Sequence, residues 1–357
     1  MIDELATSPA VQGLLGRLGL GELLPRTGES PAGRNHNTAG VTTTGNAVFV
    51  KQLDRNQPDA ARRFRRLRAY EEAAAGGDGL LDSPRCLGWD DDELLVVFEW
   101  LEGARPGSDL ATAEEFDDEL AHRAGRMVGT VHSLPPEKCG EPEANPPLLP
   151  PLDFFEALPL AYHTQASGAS LEAWGMLQRD TELAGGLRRL RTEEATAAVA
   201  PAHCDLRLDQ FLLHGDRLLL CDWEEFRTAD PARDVGGFVG EWLHRAVLDI
   251  PAQDTELNSP SPQLSHQDIV RRGTAELDRL RTRNVAFWQG YRETSAAVDP
   301  DLAVRATAFA GWHLIDRMFA AAEQRPRLTA VDRAAAGIGR SAVLHPEKFT
   351  TVLGLEA

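Results

Sequence analysis

The chain has 357 residues, of which 42% are hydrophobic, and its formal net charge is −18. This length and composition predict a globular protein with room for two domains and exclude a largely disordered chain. The negative charge argues against nucleic-acid binding, which needs clustered Lys and Arg, and no apolar run approaches the ~20 residues that span a bilayer. The four cysteines are scattered and the acidic N-terminus lacks a secretory signal pattern, so we expect a reduced, cytoplasmic protein.

The N-terminal part of the chain alternates between helical and strand patterns. A Gly-punctuated stretch rich in Thr and Asn ends in an apolar strand, and an acidic turn joins two later apolar runs. The expected elements are helices over residues 7–24 and 58–75 and strands over 30–51, 85–89 and 94–99. Together they predict a small β-rich part that contains one helix between strands.

The rest of the chain is predicted to be mainly helical. Residues 114–132 carry apolar side chains at helical spacing, and most of the later chain follows the same pattern. A Pro-rich stretch at about 135–151 is too long for an ordinary connection and predicts an inserted loop. Two short apolar runs around 211–222 predict a β-hairpin. We therefore expect an N-lobe over residues 1–100 and a C-lobe over residues 101–357.

Polar residues occur just before the first strand of this hairpin and just after its second strand. Asp205 and Gln210 precede it, and Asp222 follows directly on the apolar run that closes it. Phosphoryl transfer needs a carboxylate that accepts the hydroxyl proton and oxygen ligands that hold Mg²⁺ on the phosphates. A lone Asp near a strand is commonly a turn or helix cap. The prediction of a phosphoryl-transfer centre therefore depends on the residues upstream.

Lys51 is the first of those upstream residues. It ends an apolar strand after a Gly-punctuated hairpin, where a Lys can pair with the α- and β-phosphates of a nucleotide if a carboxylate holds it. The next helix supplies two candidates. Glu71 lies on its apolar face by i, i+4, i+7 counting, whereas Glu72 is turned away by about 100°. We predict that Glu71 pairs with Lys51, with Glu72 as the alternative.

The chain resembles the aminoglycoside phosphotransferase and choline-kinase-like branch of the protein-kinase-like fold over nearly its whole length. The motifs that carry the resemblance are residues 48–51, the helix with Glu71, and residues 95–101, 131–134, 203–210, 221–224 and 230–235. The resemblance implies a bilobal α+β fold. Its small β-rich N-lobe would bind the nucleotide with one key helix, and its large helical C-lobe would carry the catalytic hairpin.

Carried over residue by residue, the resemblance implies a kinase that uses ATP and Mg²⁺. Asp205 would be the catalytic base, Asp222 the main magnesium ligand and Lys51 the phosphate-binding lysine. Arg207 follows the base by two residues and would neutralise charge near the γ-phosphate or pair with a nearby acid. Asp234 would brace the catalytic loop.

The resemblance also implies nucleotide contacts in the N-lobe. Glu99 and Leu101 would belong to the hinge that contacts the nucleotide. Residues 33–40 would form the nucleotide loop, although they lack the G-x-G-x-x-G spacing of protein kinases. Asn35 and His36 offer side-chain donors there, where glycines would offer backbone ones.

Two positions depart from the family pattern. Gln210 replaces the usual Asn as the second metal ligand, and it offers the same oxygen on a longer arm. Cys204 replaces a frequent Gly. Neither change removes an essential functional group, so the sequence predicts an active enzyme.

Three functions remain open from the sequence. Residues 33–51 and 206–211 resemble the kinase component of class V lanthipeptide and thioamitide pathways. This likeness favours a Ser or Thr of a ribosomal precursor peptide as acceptor, whose phosphate is later eliminated, and implies a separate lyase-like partner protein. A small-molecule kinase for an aminoglycoside or another amino alcohol is the alternative, because an acidic C-lobe would attract a cation. A catalytically silent nucleotide-binding scaffold is the third hypothesis.

Overall fold

The computed structural model of the chain describes residues 4–24, 35–75, 82–135, 152–249, 266–295 and 299–356. The helices and strands are, in chain order, α1 (Pro9–Arg17), β1 (Asn35–Val41), β2 (Ala47–Leu53), α2 (Ala60–Ala75), β3 (Cys86–Asp90), β4 (Leu95–Glu99), β5 (Arg105–Pro106), α3 (Gly107–Thr112), α4 (Asp118–His132), α5 (Leu160–Gln165), α6 (Gly168–Gln178), α7 (Thr181–Thr196), β6 (Ala200–Ala202), β7 (Phe211–His214), β8 (Arg217–Leu220), β9 (Arg227–Ala229), α8 (Ala232–Asp249), α9 (His266–Thr294), α10 (Leu302–Ala322), α11 (Ala330–Leu344) and α12 (Pro346–Leu353). Short 3₁₀ turns cover Leu152–Phe155, Leu208–Gln210 and Trp223–Glu225.

The chain divides into two compact units. Unit 1 consists of Met1–Ala113, Glu137–Gly140 and Asp209–Arg227, and unit 2 of Glu114–Pro136, Glu141–Leu208 and Thr228–Ala357. The hairpin of β7 and β8 therefore belongs to unit 1. The division of the chain at residue 100 stays a prediction.

Unit 1 contains two small antiparallel sheets. The first has the strand order β1-β2-β4-β3, and the second has the order β5-β7-β8. Helix α1 begins at Pro9, and the Ser8 hydroxyl accepts a hydrogen bond of 3.2 Å from the Val11 amide, which satisfies one of the unpaired donors at the helix start.

The alternation of side chains along strand β2 places Lys51 and its valine neighbours on opposite faces of the sheet. Successive side chains of a strand point to opposite faces of the sheet. Val48 and Val50 are fully buried in a core that includes residues of α1. Lys51 has the opposite parity and lies on the face against which α2 packs Phe64 and Leu67. The alternation thus keeps the lysine on the α2 face of the sheet.

Unit 2 is a helical assembly in which glycines permit close contacts. A Cβ atom at Gly125 of α4 would lie 1.9 Å from the Phe287 carbonyl oxygen of α9, so these helices approach at a distance that only glycine allows. In α8, a Cβ at Gly237 would lie 2.6 Å from the Leu206 carbonyl oxygen. Helix α8 therefore packs directly against the segment that contains Asp205.

The predicted elements are largely confirmed. The helix expected over residues 58–75 is α2, the strands expected over 85–89 and 94–99 are β3 and β4, and the hairpin is β7–β8. The helix expected over residues 7–24 ends at Arg17, because Gly19 and Gly21 adopt positive φ angles of 70° and 77°.

Several sequence-based expectations fall outside the described residues. The beginning of the strand region at residues 30–34 and nearly all of the Pro-rich stretch at 135–151 lie there. Within the described part of the chain, no helix is both long and apolar enough to cross a bilayer.

Candidate active site

The amine of Lys51 lies between two carboxylates. Its side chain is 9% exposed, Nζ donates a short hydrogen bond to Asp222, and it lies 3.0 Å from Oε2 of Glu224. Burial disfavours the charge of the amine, but the two carboxylates more than offset this effect and raise the pKa of Lys51 above its usual range. Lys51 is therefore a fixed cation at neutral pH.

The carboxylate partners of Lys51 differ from the prediction. Glu71 of α2 lines the same cavity as Lys51, but the described ion pairs of Lys51 are with Asp222 and Glu224. Burial raises the pKa of Glu71 to about 7, which disfavours its charged form at the very place where a counter-charge was expected. Glu72 pairs with Arg68, one turn earlier in α2.

A second pair of contacts fixes Glu224. Arg63 of α2 is fully buried, and its Nη1 donates hydrogen bonds of 2.9 Å to Glu224 and 3.2 Å to the side-chain oxygen of Asn35. The amide nitrogen of Asn35 donates a hydrogen bond of 2.9 Å to the other oxygen of Glu224. Asn35, predicted as a donor in the nucleotide loop, thus holds the carboxylate that holds Lys51. His36 is exposed on β1 opposite Gln52.

Helix α2 also holds the turn that follows Asp222. Asp222 has a left-handed backbone, with φ 69° and ψ 52°, which Asp tolerates better than most residues. The Trp223 ring stacks on Tyr70 with centroids 3.7 Å apart, and Arg66 Nη1 lies 2.7 Å from Glu225. These contacts hold the 3₁₀ turn in one position, so that the carboxylates two residues apart both reach Lys51.

A cavity of about 340 Å³ opens beside Lys51 within unit 1. The large apolar residues of its wall are Phe49, Leu67, Phe98, Trp100, Leu101, Leu212 and Trp223. Its charged residues are Lys51, Glu71, Glu99 and Asp222. Four residues predicted for the nucleotide site, Lys51, Glu71, Glu99 and Leu101, therefore line one cavity, together with the predicted metal ligand Asp222. The cavity is apolar along most of its wall and charged at one end.

The hairpin register explains how Gln210 and Asp222 come to the same end of β7 and β8. Phe211 pairs with Leu220, and the Cys221 amide donates a hydrogen bond of 3.0 Å to the Gln210 carbonyl. Gln210 is 2% exposed. No group of three or more His, Cys, Asp or Glu suited to a metal occurs among the described residues. A carboxylate and an amide still fit Mg²⁺, which prefers oxygen ligands and keeps several waters.

In unit 2, Asp234 braces the segment that contains Asp205. Its two carboxylate oxygens accept hydrogen bonds of 2.7 Å from the backbone amides of His203 and Cys204, and His132 Nε2 lies 3.0 Å from it. Burial disfavours ionisation, but His132 and these donors outweigh it and hold the pKa of Asp234 below its usual range. The bracing role implied for Asp234 is confirmed.

Asp205 and Arg207 follow this braced segment. Cys204 has a positive φ of 65°, the backbone region that glycine enters most easily, and this conformation turns the chain just before Asp205. The Asp205 side chain is 43% exposed, and its carboxylate lies 3.8 Å from Arg207 Nη2. An accessible carboxylate on a rigid loop can accept a proton from a bound hydroxyl.

The sequence-based prediction missed Glu224 and Arg63. The sequence analysis named Glu224 only as part of the motif at residues 221–224, although its carboxylate forms an ion pair with Lys51. Arg63 stands among several arginines of α2, and nothing in the spacing of those arginines distinguishes the buried one.

Three solved structures are similar over nearly the whole chain. The choline/ethanolamine kinase family protein from Mesorhizobium loti is 17% identical, with a TM-score of 0.52 over 99% of this chain and 97% of that one. A putative aminoglycoside phosphotransferase from Ralstonia eutropha is 15% identical, with a TM-score of 0.52 over 98% and 99%. The amicoumacin kinase hAmiN is 12% identical, with a TM-score of 0.54 over 96% and 95%. These likenesses confirm the bilobal, protein-kinase-like α+β fold.

The family follows from the sequence profile. No sequence among the curated proteins matches the chain. The profile of the phosphotransferase enzyme family matches residues 29–259, more than half of the chain and a range that includes every predicted site residue. The chain therefore belongs to the phosphotransferase enzyme family.

Proposed function

We propose that the protein transfers the γ-phosphoryl group of ATP to a hydroxyl group, with the nucleotide bound in the cavity of unit 1. The observation that carries this proposal is Lys51, a buried cation held by two carboxylates at the charged end of an apolar cavity. A planar base suits the apolar wall, and phosphates suit the lysine, because a cation in a partly buried site stabilises them strongly.

Asp222 and Gln210 would hold Mg²⁺ in this site. Both are oxygen donors, and the hairpin brings their backbones to the same end of β7 and β8. When bound, Mg²⁺ neutralises charge on the phosphates. Asp222 also carries part of the counter-charge of Lys51, so it supports both the metal and the lysine.

Asp205 is proposed as the base of the transfer. The acceptor hydroxyl gives its proton to the Asp205 carboxylate as its oxygen forms a bond to the γ-phosphorus. The bond between the γ-phosphorus and the bridging oxygen breaks, and ADP leaves with that electron pair. Arg207, 3.8 Å from Asp205, offsets negative charge that develops on the transferred group.

A Ser or Thr residue of a precursor peptide is the proposed acceptor, because the residues around Lys51 and Asp205 resemble peptide-modifying kinases. A lyase-like protein would then eliminate the phosphate. An amino alcohol is the second candidate, since one structure of the same fold is named as a choline/ethanolamine kinase family protein. A silent scaffold would bind Mg-ATP without transferring phosphate to either class of acceptor.

The test is ADP formation by the full-length protein with Mg-ATP and a panel of Ser/Thr peptides and amino alcohols. Asp222→Asn should lower kcat/KM by at least about 100-fold and raise the Mg²⁺ concentration needed for half-maximal rate. Asp216→Asn, at the exposed tip of the same hairpin, is the matched control and should behave as wild type. Wild-type activity in Asp222→Asn would overturn the proposed metal site.

A further inference from the structure

A second cavity lies beside Asp205 within unit 2. It has a volume of about 130 Å³ and is lined by the segment around Asp205 together with residues of α8 and α10. Its ionisable residues are Asp205, Arg207, Arg233, His313, Asp316 and Arg317. A single water needs only about 10–15 Å³ of such space, so the cavity can take a small organic group. Asp205, the proposed base, lines this cavity, so the cavity adjoins the place where the acceptor hydroxyl would bind.

The helix periodicity explains why these charges meet. His313, Asp316 and Arg317 of α10 lie three and four residues apart, which places them on one face of the helix. Arg233 is the second residue of α8, and its guanidinium lies 4.8 Å from the centre of the Phe309 ring. It also pairs with the buried Glu194, which lies outside the cavity. Arg233 is therefore held in place from behind, with its charge at the cavity wall.

The guanidinium group of Arg317 can donate more hydrogen bonds than it makes among the described residues. Its Nη2 donates a hydrogen bond of 2.7 Å to Asp316, the adjacent residue. Its Nε is buried and has no hydrogen-bond partner among the residues that the structure describes. The guanidinium fork matches the two oxygens of a carboxylate or phosphate group.

The pKa values of two groups near the cavity, Glu241 and His244, are consistent with a positive electrostatic potential there. Glu241 lies outside the cavity and pairs with His313 at 2.7 Å. Burial opposes its charge, but His313, Arg317 and Arg207 lower the pKa of Glu241 to about 2. Burial, His313 and Arg317 lower the pKa of His244 to about 4, against an opposing effect of Glu241. Three arginines and two aspartates line the cavity, in a chain whose net charge is −18.

We propose that the acceptor of the phosphotransfer carries an acidic group close to its hydroxyl, and that Arg317 binds this group in the cavity beside Asp205. The inference rests on the proposed function and narrows its substrate class. A carboxylate would pair with the guanidinium of Arg317 at the cavity wall, whereas an ammonium group would face three guanidinium groups and two carboxylates. A hydroxy acid and a Ser/Thr peptide with a neighbouring Asp or Glu both supply this chemistry.

The test uses acceptors that differ only in charge. Glycerate, glycerol and 3-aminopropane-1,2-diol share one hydroxyl skeleton and carry a carboxylate, a neutral group and an ammonium. Ser peptides with Asp, Asn or Lys beside the Ser form the second set. With full-length protein and Mg-ATP, the acidic member of at least one set should have a kcat/KM at least about tenfold above its neutral and cationic partners. The set that responds identifies the source of the acid.

Variants of Arg317 then locate the effect. Arg317→Gln should raise the KM of the acidic acceptor at least about tenfold, with the KM of ATP, kcat and the KM of the neutral acceptor within about twofold. Arg317→Lys keeps the charge and should recover part of the loss. Arg126→Gln removes an exposed arginine of α4 that also pairs with a carboxylate, and it should leave every constant unchanged.

The contrary outcomes separate the two proposals. Preference for the neutral or cationic acceptors, or an Arg317→Gln variant that changes the KM of all three alike, would overturn this inference and leave the phosphotransfer intact. Absence of ADP formation with every acceptor would overturn the proposed function, and this inference with it.

Discussion

The ammonium of Lys51 lies 3.0 Å from Oε2 of Glu224. The other oxygen of the same carboxylate accepts a 2.9 Å hydrogen bond from Arg63, which is fully buried. Glu224 therefore joins the lysine of the sheet to an arginine of α2. In this protein, the helix supports the lysine through an arginine and the Glu224 carboxylate, rather than through a glutamate of its own.

Replacing Glu224 tests this connection. Glu224→Gln keeps the shape of the side chain but removes the negative charge between Lys51 and Arg63. Because Arg63 would then be a buried cation without its main partner, the free energy of unfolding should fall by about 3 kcal/mol in urea titrations. Glu72→Gln breaks a more exposed pair of the same helix and should cost less than about 1 kcal/mol. Equal losses in the two variants would contradict the proposed role of Glu224.

Glu71 predicts a pH dependence of stability. Its pKa is raised from 4.5 to about 7 by burial, so the folded state holds a proton that the unfolded state has released. Stability from this group is complete below pH 4.5 and is lost as the pH rises to about 7. Glu71→Gln removes the loss, so between pH 4.5 and 8 its stability relative to wild type should increase by on the order of 2–3 kcal/mol.

Urea titrations at several pH values measure this difference. Glu72→Gln, the neighbouring substitution on the more exposed side of α2, should follow the wild-type pH dependence. A constant difference between Glu71→Gln and wild type over this range would mean that burial does not perturb the Glu71 carboxyl.

Replacing Asp234 should lower turnover without weakening nucleotide binding. Asp234→Asn leaves one acceptor oxygen for two backbone amides, those of His203 and Cys204, each now 2.7 Å from a carboxylate oxygen. The segment that carries Asp205 would lose its fixed position, so kcat should fall about 100-fold. The dissociation constant of Mg-ATP, measured by calorimetry, should change less than about threefold because the nucleotide residues belong to unit 1.

Asp180→Asn provides the control for this variant. Asp180 also accepts a backbone hydrogen bond, from Leu183 at the start of α7, and pairs with Arg340. Its replacement should lower stability by about 1 kcal/mol and leave kcat unchanged. If Asp234→Asn behaves like Asp180→Asn, its role is structural only.

Pattern in the sequence located much of this site. The apolar strand pattern placed Lys51 on a strand that follows a hairpin, and the second hairpin pattern placed Gln210 and Asp222 at the two outer ends of its strands, which the register brings together. It did not identify Asp222 and Glu224 as the partners of Lys51. The contact with Glu224 rather than Glu225 follows from the turn that begins with the left-handed backbone at Asp222. Spacing alone does not specify such a turn.

The net charge of the chain and the charges of the cavity at Asp205 favour different acceptors. The net charge of −18 favours a cationic acceptor, whereas the cavity is lined by three arginines and two aspartates. Net charge is a sum over the whole surface, and it carries no information about one cavity of about 130 Å³. Arg207 lies in the segment after β6, Arg233 in α8 and Arg317 in α10, so their meeting is a property of the fold.

The role of Asp205 as the base is tested by comparing wild type and Asp205→Asn in γ-phosphoryl transfer from Mg-ATP to an acceptor hydroxyl, with Mg-ATP binding measured on the same samples. Asp205→Asn keeps the shape of the side chain but cannot accept the hydroxyl proton. We expect kcat to fall by at least about 100-fold while the dissociation constant of Mg-ATP changes less than about threefold. Turnover by Asp205→Asn at the wild-type rate would show that Asp205 is not the base.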